Sequence, residues 1–166
     1  MNLRQTEPKE AIVDGVKFYI RPLPAFKAAN LTGELATVLA PLFASIASMN
    51  KEENNDGLMD IEIEQAAPLV SKAFEGISGD KVEILLKKLL ISNKNIAVKF
   101  EDEEGEEEIE VLTEEIANEI FCGEVQSMFI LAYHVIRLNF NGFFKRLAAP
   151  SGKAGEFMTK KMRKVF

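Results

Sequence analysis

The sequence predicts a mainly α (α+β) domain of about five or six helices, with an N-terminal β-hairpin and a second, acidic β-hairpin. Three observations predict it. Asp14-Gly15 separates two β-rich runs, the strongest short-range hairpin signal a sequence offers. Val82, Leu85, Leu86, Leu89 and Leu90 fall at i, i+3, i+4, i+7 and i+8, which puts them on one helix face. Residues 128–138 are apolar nearly all round, the pattern of a helix central to a core or to an interface.

The elements follow in order. Ile12 and Val13 form one arm of the first hairpin, and Val16, Phe18 and Ile20 alternate with Lys17, Tyr19 and Arg21 on the other, so one face packs. Pro22 and Pro24 end that arm. From Ala25 to Met49 the apolar spacing is helical, and Pro41 should kink the helix or start a new one, because it cannot donate and its ring clashes one turn back. Residues 50–59 are a polar linker. Asp60 can cap a helix to about Phe74, with Pro68 as a second break. Ser78 stands as N-cap of the Val82–Leu90 helix, which ends near Ser92-Asn93.

Ile96, Val98 and Phe100 alternate on one arm of the second hairpin, with Ile109 and Val111 on the other. Its turn carries eight acidic residues between Glu101 and Glu110. Thr113 caps a helix bearing Ile116, Ile120 and Phe121, and Gly123 stops it. The long apolar helix follows, and residues 141–147 add a short turn or helix. Residues 1–149 thus read as a single helical domain with hairpins, and 150–166 as a basic, flexible C-terminal tail. From Lys145 onward seven basic residues face one acidic, so a tail of +6 hangs on a body of −12.

Composition excludes several functions. The net charge is −6, which argues against nucleic acid as partner, since phosphate binding needs clustered Lys and Arg. No run of about 18 apolar residues is present to span a bilayer, and the N-terminus has no secretory pattern. One cysteine, Cys122, allows no internal disulfide and fits a reducing compartment; it reads as a small core residue. The single histidine, His134, reads as a packed or half-exposed residue of its helix. A His/Cys metal site needs several ligands, and no nucleophile, P-loop or dinucleotide motif occurs. No catalytic residue, metal or cofactor is expected, so the chain is read as a non-enzyme. The Glu-rich turn lacks the spacing of a Ca²⁺ loop and reads as a solvated tip kept from pairing by its charge.

Three strings, VDGVKFYIRPLPAFKAANLTGELATVLAPL, SGDKVEILLKKLLI and NEIFCGEVQSMFILAYHVIRLNFNGFFKRL, resemble tail assembly chaperones of long-tailed phages and prophages of Gram-positive bacteria. The likeness spans about residues 12–149. It implies a non-catalytic protein that binds the tape measure protein in the host cytoplasm, keeps it soluble during tail assembly, and is absent from the mature virion. It also implies contact with the tail tube protein through a frameshifted longer form. Self-association is left open. Within this reading Phe129, Tyr133, Ile136, Phe140 and Phe143 are the expected partner contacts, with Lys160, Lys161 and Arg163 of the basic tail. The rivals are a structural tail protein retained in the virion and an acidic inhibitor that mimics nucleic acid.

Overall fold

Asp14 and Gly15 both take positive φ, 47° and 81°, as a two-residue hairpin turn that matches strand twist demands. They join β1 (Lys9–Val13) to β2 (Val16–Ile20), with Val13 opposite Val16. The computed structural model describes residues 7–49, 68, 75–101 and 104–148, with 39–49 and 143–148 described by their backbone alone.

The second hairpin, β3 (Ile96–Glu101) and β4 (Glu107–Val111), does not stand apart from the first. β2 pairs antiparallel with β3, Phe18 opposite Val98 and Ile20 opposite Ile96. The result is one antiparallel sheet in the order β1-β2-β3-β4. An isolated two-stranded hairpin is marginal in water, and joining the two lets Ala11, Val13, Phe18, Ile20, Ile96 and Val98 bury on one face.

Among the described residues four helices accompany the sheet: α1 (Ala25–Met49), α2 (Gly79–Leu90), α3 (Glu114–Ile120) and α4 (Val125–Ala148). The expectation of a mainly α domain with five or six helices is therefore corrected to an α+β arrangement. Two physical reasons account for the difference. The alternating apolar residues of both hairpins share one buried face, so the strands merge into a sheet. α1 is continuous through Pro41, and residues 141–147 prolong α4 instead of adding a helix. The helix expected over 60–74 lies outside the described residues, save Pro68, which is helical. The tail, 150–166, lies outside them too.

α4 sits at the centre, touching α1, α2 and β1. This explains why it is apolar all round. Leu131, Ala132, Tyr133, Val135, Ile136 and Phe140 are buried there. The stripe of α2 closes the same core with Leu85, Leu86, Leu89 and Leu90, and Phe121 stacks on Phe18 with centroids 6.0 Å apart. Polar groups fix the layers in register. Lys87 bonds both Glu83 and Glu114, each at 2.8 Å, tying α2 to the start of α3. Lys88 reaches Glu34 of α1 at 2.6 Å. The hydroxyl of buried Ser127 donates to Asp14 in the first turn. Thr113 caps α3 by accepting the Ile116 N–H, and Gly123 follows with φ 78°. Ser78 is the N-cap of α2 by position, without a side-chain bond. Cys122, expected in the core, is exposed, because it lies in the turn that separates α3 from α4.

Asn139 of α4 holds the chain that leaves the sheet. Its Oδ1 accepts from Leu23 N–H at 2.7 Å and its Nδ2 donates to Val135 O at 2.8 Å. Asn139→Leu leaves the N–H of buried Leu23 without its acceptor, an expected loss of about 1–3 kcal/mol read from the urea midpoint.

Candidate functional site

A strand's side chains alternate between faces, so the buried face of the sheet fixes what the other face carries. Partners across the strands give two rows there: Glu10–Tyr19–Ala97–Val111 and Ile12–Lys17–Lys99–Ile109. Ile12, Ile109 and Val111 are 65%, 59% and 45% exposed, and Tyr19 and Ala97 are half-buried. The two lysines of the lower row turn to the rim: Lys17 pairs with Glu10 at 3.5 Å and Lys99 with Glu107 at 2.5 Å. The Lys99 ammonium is held above its ordinary pKa chiefly by Glu107.

β4 is oriented against the protein's own core. Its residues on the helical side of the sheet are Glu108 and Glu110, opposite Phe100 and Val98, and both are exposed. Carboxylates there resist burial, so the helical layer ends at β3. The apolar residues of β4, Ile109 and Val111, face outward. Exposed apolar residues scattered singly are ordinary; Phe26, Ile84 and Val125 on the helices are of that kind. Tyr19, Ala97, Val111 and Ile109 adjoin one another on one sheet face and form a patch, with Ile12 on the same face at the far end of its row.

The residues expected to contact a partner fall elsewhere. Tyr133, Ile136 and Phe140 are 1%, 1% and 3% exposed, because α4 is enclosed by α1, α2 and the sheet. A chain docking on this fold reaches them only if the core opens. Phe129 is half-buried and packs against the core. The side chain of Phe143, and Lys160, Lys161 and Arg163, lie outside the described residues. The alternation of Ile109 and Val111 with Glu108 and Glu110 is the signal that marks the open face, but it gains meaning only once the register with β3 says which side is buried.

No group of three or more His, Cys, Asp or Glu that could hold a metal occurs among the described residues, and no helix there is long and apolar enough to cross a membrane. His134 is half-buried, and burial, aided by the charge of Arg137, holds its pKa below the ordinary 6.5. The unfolded chain therefore binds this proton first, and His134 subtracts stability as pH falls below about 6.5. Glu83, lowered by the bond and charge of Lys87, stabilises above about 4.5 and loses its contribution only below that, so the two windows separate. The urea midpoint is expected to fall as pH drops through about 6.5, and His134→Gln to flatten that fall.

A family model described as phage tail assembly chaperone protein, TAC, matches residues 14–152 of the chain. No curated protein and no solved structure matches it.

Proposed function

The chain belongs to the phage tail assembly chaperone family, and on that premise we propose that it acts by stoichiometric binding of the tape measure protein. The open face of its sheet receives an amphipathic helix of that client. The bound client stays soluble until tail tube subunits displace the chaperone. The observation that carries this reading is the outward aim of Ile12, Ile109 and Val111.

The physics favours a helix as the occupant. Among the described residues the sheet has helices on one face only, and a helix laid on the other completes a three-layer arrangement. Tyr19, Ala97, Ile109 and Val111 supply a contiguous apolar strip, while the Lys17–Glu10 and Lys99–Glu107 pairs border it with both signs of charge. Such a border tolerates many helical sequences, as a holdase for a long helical client requires. The net charge of −6 keeps coated complexes apart. We favour this face over the contact residues expected on the apolar helix, because Tyr133, Ile136 and Phe140 are buried in the protein's own core.

The test is co-expression of the full chain with the tape measure protein of the same phage. The soluble fraction of the client is expected to rise severalfold. A client that stays equally insoluble with and without the chain contradicts the proposal.

A further inference from the structure

β1 is an edge strand, and the hydrogen-bond alternation assigns its free groups. A two-residue turn makes Val13 and Val16 a mutually bonded pair. Alternation then turns the N–H and C=O of Glu10 and Ile12 away from β2. The bond from Arg21 N–H to Asn95 O at 2.8 Å, on the far side of β2, follows the same alternation. Among the described residues no backbone group pairs with Glu10 or Ile12 on that outer edge.

Beside this edge, where α4 packs on β1, lies a cleft of about 420 Å³ lined by Lys9, Glu10, His134, Arg137, Leu138 and Asn141 together with apolar residues of β1 and β2. Two of its polar atoms, His134 Nε2 and Asn141 Oδ1, are buried and have no hydrogen-bond partner among the described residues. A buried polar atom left unbonded is costly, and the cleft offers the room in which a ligand meets both. Its charges are unbalanced. Glu10 is engaged by Lys17, whereas Lys9 and Arg137 have no ion pair among the described residues.

We propose that the β1 edge and this cleft together bind an extended, acidic segment of a partner polypeptide as a fifth strand. A strand added here lies about 4.8 Å outside β1, beside the α4 face that carries His134, Arg137 and Asn141. The main chain bonds Glu10 and Ile12, as in other strand additions. Inward side chains place a carboxylate between Lys9 and Arg137, and a polar donor at Asn141. A lysine on an edge strand commonly serves only to discourage pairing. The adjoining cleft and its two unbonded atoms are what single out Lys9 as half of a binding pair. The site is separate from the open sheet face, and its test does not depend on the chaperone reading.

The probe is a fluorescein-labelled peptide of about nine residues alternating valine with glutamate, titrated into the full chain by anisotropy. A valine–lysine peptide is the comparison. The glutamate peptide is expected to bind and the lysine peptide not. Arg137→Glu is expected to weaken glutamate-peptide binding about tenfold or more. The double variant Lys9→Glu with Arg137→Glu is expected to reverse the preference and bind the lysine peptide, which also demonstrates that it is folded. Hydrogen exchange of the Glu10 and Ile12 amides is expected to slow in the wild-type complex. Absence of glutamate-peptide binding, equal binding of both peptides, an unchanged preference in the double variant, or unslowed Glu10 and Ile12 amides would overturn the proposal.

Discussion

Replacing Ile12, Ile109 and Val111 together by threonine is expected to weaken binding of a helical tape measure segment about a hundredfold and leave the fold intact. Each substitution withdraws apolar surface worth about 1 kcal/mol on burial, and about 3 kcal/mol together is roughly two decades in Kd. Threonine keeps the β-branch and so the strand preference. The three positions are exposed, so the urea midpoint should move by no more than about 1 kcal/mol in stability. Phe26, 92% exposed in the first turn of α1, provides the control. Phe26→Ser removes a larger apolar group on the helical side and should leave client binding unchanged. Equal losses from Phe26→Ser and from the sheet-face variant would mean that general stickiness, and not the open face, holds the client.

Phe18→Ala should be the most damaging single substitution for stability. Phe18 is fully buried, stacks on Phe121 with an interplanar angle of 10°, and stands opposite Val98 in the β2–β3 pairing. Truncation opens a cavity at the point where the two hairpins become one sheet. Core Phe→Ala changes cost about 3–5 kcal/mol, a large part of the 5–15 kcal/mol typical of a domain. Urea denaturation followed by circular dichroism is the measurement. A loss below about 1 kcal/mol would show that the hairpins do not depend on one another.

The local features of this fold are written in short stretches of sequence, and those were legible. Asp14-Gly15 needs only its neighbours to be a turn. The Val82–Leu90 stripe needs only its own period, and Thr113 caps a helix that begins one residue later. The β2–β3 pairing is different in kind. Phe18 meets Val98 across about eighty residues, and no local pattern in either hairpin states that the other is its partner. Missing that contact made two hairpins where there is one sheet, and hid the open face with them.

The candidate site was hidden for the same reason. An apolar helix in isolation looks the same whether it meets a partner or its own domain. Tyr133, Ile136 and Phe140 are enclosed because three elements converge on α4, a fact of tertiary placement. Cys122 illustrates the converse: a residue type usually buried stands exposed because the chain must turn between α3 and α4.

The most direct measurement is photo-crosslinking with a photoreactive amino acid placed at one of two exposed positions, Ile109 on the open face or Ile84 on the helical side. Each variant is mixed with the tape measure protein and irradiated. A crosslinked complex is expected from position 109 and none from position 84. Crosslinks from 84 with none from 109 would place the client on the helices and contradict it.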